Sequence, residues 1–530
     1  MPESDLALLS GLAPNQLQAA ASRQIQEYRP MKEDFADYVW QLRNSAAPIH
    51  TKLPSEVLIH IFSLVSPTQR SHIKLAHVCR TWRDLIYKTP DFWVDMVAII
   101  KNPSRPKHFN DILTFLQRTA SLPYTLYYID NTLRLKFLST LQENGRLSHL
   151  SELFIVLPWN DPSVTFDFIQ LAMPGLQTLH CNAVTVQPSR SDALNPRDHT
   201  PPSVANFPRL RSLQLPEGLL LVPSLAFPTL RTIIHDRDAL DLKLVLMALQ
   251  LCPQLEELTL TKWMYPRGIN LPFDALLLPC PLPRLRRCVI DDLSGGTTPS
   301  YTVEFLSKIA VPPTAHLEVR ATIISLPSHI IPTAPPLATL GAVDTLHLKL
   351  PTNTTLYSEI QGLAGHTERV NLTLSTPTPV RRAGRVVTDC SATLYDTVDV
   401  FSSAAHITSL VLECWPDYTV RKNAWLITLA SLPFLVSLAV RVRSCQRLLR
   451  ALRRPGDLLC FHLKQLAITC TNGGGVHELL VIAIEWRASL GASLEKLEYY
   501  NEISLPLSES RMERLRALVS DVLVLPGRLD

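Results

Sequence analysis

The chain has 530 residues, with 51 Lys and Arg against 47 Asp and Glu, for a formal net charge of +4. That balance argues against general nucleic-acid binding by charge, while the length holds a small module plus one large domain, or two to three ordinary ones. The ten cysteines, at 79, 181, 252, 280, 288, 390, 414, 445, 460 and 470, include no Cys-x-x-Cys pair, so they read as buried thiols in a reducing compartment.

The opening residues, MPESDLALLSGLAP, start acidic and are broken by Gly11 and Pro14, so they lack the basic start and unbroken apolar run of a signal peptide. An intracellular protein, cytoplasmic or nuclear, is expected, and the sequons at Asn353 and Asn371 then carry no glycan. Asn15 to Tyr28 and Met31 to Arg43 read as helices, with Leu17, Ala20, Ala21 and Ile25 on one side of the first and Phe35, Tyr38, Val39 and Leu42 on one side of the second. With the linker at 45–48 they make an N-terminal arm over residues 1–48. The arm either packs beside its neighbours or serves as a partner-binding or self-pairing helix, although it lacks the several heptads of a coiled coil.

Residues 49–97 read as three short helices. Pro54 suits a first helical turn and Glu56 the positive end of the dipole; Leu58, Ile61, Phe62 and Val65 then recur at helical spacing until Pro67 closes the helix. Ile73, Leu75 and Val78 can cover that face from a second helix, and Trp82, Leu85 and Ile86 from a third. A unit of this size rarely holds itself together, so it needs the following domain or a partner. Leu53-Pro54-x-Glu56-Val57-Leu58, Ile61-Phe62, Val78-Cys79-Arg80-x-Trp82-Arg83 and Pro90-x-Phe92-Trp93 stand in the order and at roughly the intervals of the F-box, which the segment resembles. The resemblance implies a core containing Leu58, Phe62, Val78, Trp82 and Trp93, and an exposed edge of Leu53, Pro54, Val57 and Ile61 that docks a Skp-type adaptor of a cullin–RING ubiquitin ligase. The second helix opens with Pro67-Thr68-Gln69-Arg70, where many members have an acidic-leucine pair, a departure that bears on adaptor affinity.

From residue 98 to 530 a pattern L-x-x-L-x-L recurs. Copies run from Leu150-Leu153-Ile155 and Leu176-Leu179-Cys181 through Leu210-Leu213-Leu215, Leu230-Ile233-His235, Leu255-Leu258-Leu260 and Leu285-Cys288-Ile290. They return at Val343-Leu346-Leu348, Ile407-Leu410-Leu412, Leu435-Leu438-Val440, Leu463-Leu466-Ile468 and Leu494-Leu497-Tyr499, with degenerate copies at Thr314-Leu317-Val319 and Thr367-Val370-Leu372. Helical stretches such as Leu242 to Leu251, Val303 to Ala310 and Val476 to Ser489 lie between copies, and proline stands two residues ahead of several, as at Pro208, Pro228, Pro253 and Pro283. Strand then helix, repeated, is the leucine-rich-repeat pattern, in which each unit buries its apolar face only against its neighbours. The interruptions Val184 to Asn206 and Ser375 to Asp399, the latter with Arg381, Arg382 and Arg385, read as surface loops.

No phosphate loop, nucleophile elbow or zincin motif is present, and the histidines do not cluster with cysteines at zinc spacing; no enzyme, cofactor or metal is expected. Gly473-Gly474-Gly475 is either an anion-binding turn or a flexible connection, and no Lys-Ser/Thr follows it. The uncharged run Asn423 to Val440 is split by Pro433 into a buried helix and a strand, so no membrane span is expected. Arg443, Arg447, Arg450 and Arg454 follow i, i+4, i+7, i+11 opposite Leu448, Leu449 and Leu452: a stripe that either holds a phosphorylated or acidic peptide of a protein substrate or is the solvated face of a repeat helix. The expected fold is therefore α/β, a small helical F-box module followed by an irregular leucine-rich-repeat-like solenoid of parallel strands. The resemblance implies the substrate receptor of a Skp–cullin–F-box ligase; the alternative is a repeat scaffold whose F-box serves a ligase-independent assembly.

Overall fold

The computed structural model describes residues 12–27, 39–40, 42–44, 46–65, 74–98, 106–129, 134–158, 171–184, 206–215, 228–236, 242–263, 279–292, 301–321, 326–350, 357–375, 380–382, 385–414, 418–454, 458–471, 476–501 and 507–526. The readings at 31–38, 67–70 and 473–475, and most of that at 184–206, lie outside the described residues. The chain forms two compact units, 1–210 and 211–530.

In the first unit, helix α1 (Pro14–Glu27) and a helical turn at Pro48–Lys52 precede α2 (Ser55–Leu64), α3 (Arg80–Tyr87) and α4 (Pro90–Ala98). Each start has a local cause. Pro54 stands immediately before α2, the Cys79 thiol accepts the Trp82 backbone N–H at 3.4 Å to cap α3, and Pro90 opens α4 with Asp91 in its first turn. Next come α5 (Pro106–Arg118), β1 (Tyr124–Ile129), α6 (Arg134–Glu143), β2 (Leu150–Pro158) and β3 (Thr178–Val184). The three strands are parallel and set Leu126, Leu153 and Leu179 in one register row, all buried. On the opposite face Tyr127, Phe154 and His180 stack with centroids 4.5 and 4.6 Å apart. β1 lies ahead of the first Leu-x-x-Leu-x-Leu copy, because a strand needs only alternate buried residues, here Tyr124 and Leu126.

The second unit carries β4 (Ser212–Leu215), β5 (Thr232–Asp236), α7 (Leu242–Gln250), β6 (Glu257–Trp263), β7 (Arg287–Asp292), α8 (Tyr301–Lys308), β8 (His316–Ala321), β9 (Thr345–Lys349), β10 (Tyr357–Ala364) and β11 (Thr367–Ser375). It continues with α9 (Ser391–Ser402), β12 (Ser409–Glu413), α10 (Lys422–Ala430), β13 (Ser437–Val442), α11 (Gln446–Leu452), β14 (Gln465–Cys470), α12 (Val476–Ser489), β15 (Lys496–Asn501), α13 (Glu509–Arg516) and β16 (Asp521–Pro526). Helices α9 to α13 pack each on the next, in chain order. The repeat prolines have a more specific role than stopping a helix. Pro208, Pro253, Pro283 and Pro433 each sit second in a four-residue turn closed by a backbone bond from the fourth residue to the first, such as Leu285 N–H to Leu282 O at 3.1 Å, and each strand begins two residues after the turn closes.

The strands pair in the order β4-β5-β6-β7-β8-β11-β10-β9-β12-β13-β14-β15-β16. The middle position of the repeat becomes one register row: Leu213, Ile233, Leu258, Cys288 and Leu317, then Val370 and Gly362, then Leu346, Leu410, Leu438, Leu466 and Leu497. Within this sheet the expectation of parallel strands holds except at β10, which runs antiparallel to both neighbours. The cause is the tight turn at Gly365-His366, with Gly365 at φ 61° and its N–H bound by the Asp344 carboxylate at 2.9 Å: a two-residue link joins only antiparallel neighbours.

The loop expected over Ser375–Asp399 is corrected. Val380–Arg382 and Arg385–Asp389 form a short hairpin, and α9 follows with Leu394 and Val398 buried. Helical spacing of the buried apolar residues Leu394, Val398 and Phe401, at i, i+4 and i+7, outweighs the polar composition of the stretch. All ten cysteines are free and buried, and burial pushes Cys288 and Cys414 up to about 12. No helix among the described residues is long and apolar enough to cross a membrane.

Candidate functional site

Helix α2 is apolar on two faces. Leu58 and Phe62, one turn apart, are 2% and 3% exposed, and the Phe62 ring lies 4.8 Å from that of Trp82. Val57 and Ile61, also one turn apart, are each 40% exposed, Leu64 is 73% exposed, and Pro54 is exposed at the helix start. A helix with one apolar stripe needs one partner, and this one has a second stripe facing solvent.

The support behind that stripe is closely packed. Trp93 is fully buried, donates its indole N–H to the Ile86 carbonyl at 2.9 Å, and meets Phe115 of α5 at 5.3 Å. The Arg118 guanidinium lies 4.0 Å from the Tyr87 ring centre and 4.5 Å from that of Trp93. Arg83 reaches back from α3 to the Ala76 carbonyl at 3.0 Å, holding the preceding turn. The three helices are thus completed by α5, as their size requires.

Two of the sequence assignments change. Val78, expected in the core, is 53% exposed: it follows the Lys74–His77 turn, and the neighbouring Cys79 takes the inward position as the cap of α3. Leu53, expected on the open edge, is half-buried at the end of the Pro48–Lys52 turn. Trp82 is half-buried. Leu64 was not singled out although it extends the spacing of Val57 and Ile61 by one further turn.

The arginine stripe of the second unit is also corrected. Helix α11 spans only Gln446–Leu452, so Arg447 and Arg450 share it while Arg443 and Arg454 fall outside. Pro455 disfavours helical backbone at Arg454. Arg447 donates to the Val420 carbonyl at 3.2 Å, whereas Leu448, Leu449 and Leu452 are buried as their spacing predicts. The four arginines therefore form no single helical face.

Residues 50–98 match the family model for the F-box-like domain, and domains of this family generally bind Skp-type adaptors. No curated protein matches the chain. Among the described residues, no group of three His, Cys, Asp or Glu side chains is placed to hold a metal ion.

Proposed function

We propose that this chain, which carries an F-box-like domain, is the substrate-receptor subunit of a Skp–cullin–F-box ubiquitin ligase, working inside the cell and contributing no catalytic residue of its own. The observation that supports this reading is the solvent-facing stripe Pro54, Val57, Ile61 and Leu64, on a helix whose other face is already filled by Leu58 and Phe62. An adaptor covering the stripe gains burial of several apolar side chains, each worth up to about 1.5 to 3 kcal/mol when fully enclosed. The repeat units then stand as the part that holds a protein substrate, through the strand faces and turns their register displays. The ligase chemistry belongs to other subunits.

The test is capture of a Skp-type adaptor by the purified chain. The wild type is expected to bind, and Val57→Asp with Ile61→Asp to abolish binding while the thermal midpoint stays within a few degrees, since both side chains face solvent. A wild type that captures no adaptor leaves the scaffold reading in its place. Undiminished binding by the double variant sinks the proposed edge.

A further inference from the structure

We propose that the entry turns of β5 to β7, with the residue just before β4, form a docking strip for a carboxylate-rich, extended segment of a partner protein. The strip is built from the backbone. In each of these repeats the residue just before the strand gives its carbonyl to the next repeat: Arg211 O accepts from Arg231 N and Thr232 N, Arg231 O from Glu256 N and Glu257 N, and Glu256 O from Arg286 N and Arg287 N, at 2.7 to 3.1 Å. Arg211, Arg231, Glu256 and Arg286 therefore occupy equivalent places on adjacent strands, which are about 4.8 Å apart. Three of the four are arginine and exposed, and Arg284 adds a fourth exposed guanidinium from the turn before β7.

The fourth position shows what the strip accepts. The Glu256 carboxylate sits between two guanidiniums, 3.4 Å from Arg231 and 3.9 Å from Arg286. Those two arginines keep 51% and 80% of their side chains in solvent, and Arg211 and Arg284 have no side-chain partner among the described residues. The strip thus holds four guanidiniums, two of them on the Glu256 carboxylate, with Glu257 exposed beside it and Arg287 already turned to Glu318 at 3.1 Å. The positive excess lies along a line, and the three strand steps from Arg211 to Arg286 span about 14 Å. An extended peptide of about four to five residues, rising 3.3 Å each, covers that length. Planar guanidiniums pair with carboxylates through two parallel N–H bonds, which lysines cannot reproduce. A single-stranded nucleic acid would need exposed rings to stack its bases on, and among the described residues the exposed turn positions are Pro, Thr and Arg, with Phe207 and Cys252 buried.

This surface rests on the receptor reading for its biological use, as the place where an acidic part of a substrate is held, but its chemistry is tested independently. The experiment is fluorescence anisotropy of labelled hexaglutamate with the intact chain at low salt, beside a labelled oligouridylate of the same length. Hexaglutamate is expected to bind and to be released by added salt. The Arg211→Glu, Arg231→Glu, Arg286→Glu triple variant is expected to weaken binding by about tenfold or more, the triple Arg→Lys variant to weaken it by less, and Arg447→Glu with Arg450→Glu to leave it unchanged. No binding by the wild type, loss equally caused by the α11 variant, or an unaltered triple variant overturns the strip. Tighter arginine-dependent binding of the oligouridylate overturns it in favour of nucleic acid. Adaptor capture is measured on the same proteins: intact capture with no hexaglutamate binding sinks the strip alone, and arginine-dependent hexaglutamate binding without capture sinks the receptor reading alone.

Discussion

Leu58 and Val57 are neighbours in sequence with opposite physical roles, and the difference is measurable. Leu58→Ala opens a cavity under the helix and is expected to cost about 2 to 5 kcal/mol, read as a fall in the denaturation midpoint. Val57→Ala leaves the midpoint almost unchanged, because a side chain already 40% exposed has little packing to lose. Buried thiols set a second expectation. Cys288, Cys414 and Cys460 are raised from 9.0 to about 12, in each case chiefly by burial, so the folded state keeps its protons while the unfolded chain begins to lose them near pH 9. The contribution of these thiols to stability is therefore level below pH 9 and falls as pH rises from 9 to 12, by about 1.4 kcal/mol per pH unit for each. Thermal midpoints recorded between pH 7 and pH 10.5 check this: a midpoint constant to pH 10.5 contradicts it.

Helix α9 and strand β10 make one packing device. Every other strand from β4 to β15 places a side chain in the register row described above, but β10 places Gly362 there. The Phe401 ring, from the last turn of α9, fills the vacancy: a Cβ on Gly362 would stand 3.0 Å from Phe401 Cε1 and 3.0 Å from Val343 Cγ2. Restoring leucine at this place, Gly362→Leu, is thus expected to destabilise by about 1 to 3 kcal/mol or more through overpacking. The same change in a Phe401→Ala background is expected to cost less than in the wild type, since the ring that clashes is gone. Additive effects of the two substitutions in denaturant melts would mean that ring and glycine are not coupled.

The second unit as a whole is a row of strands in which each hydrophobic position is satisfied by the repeats on either side. A chain ending after Asp292 leaves β7 unpaired on one edge and strips Cys288, Val289 and Ile290 of the cover that β8 provides. Such a fragment is expected to be poorly soluble and to expose apolar surface to a dye such as ANS. A soluble, cooperatively melting monomer of that length would show that the repeats before β8 close on themselves.

Helices α2 and α3 and the strands that carry the repeat pattern were legible in the sequence because each rests on local chemistry: Pro54 at a helix start, apolar residues at period 3.6 or 2, and proline-led turns ahead of several strands. The degenerate copies at Leu317 and Val370 proved to be strands for the same reason. The helix expected over Ile73 to Val78 is a short turn at Lys74–His77, and α4, β1, β10 and β16 were not read. Periodicity alone, which put Ile61 on the same face as Leu58 and Phe62, does not decide which of two apolar stripes on α2 finds a partner. The resemblance to the F-box supplied that division, and the structure bears it out for Leu58 and Val57, which differ only in what lies across from them. The reversed order of β9 to β11 and the match of Gly362 to Phe401 are likewise decided by long-range pairing, where the chain must skip two places and fold back. The strip of Arg211, Arg231 and Arg286 is invisible in a sequence that separates them by 20 and 55 residues. Only the backbone ladder brings them to strand spacing, because hydrogen bonds between parallel strands fix neighbours by register and not by distance along the chain.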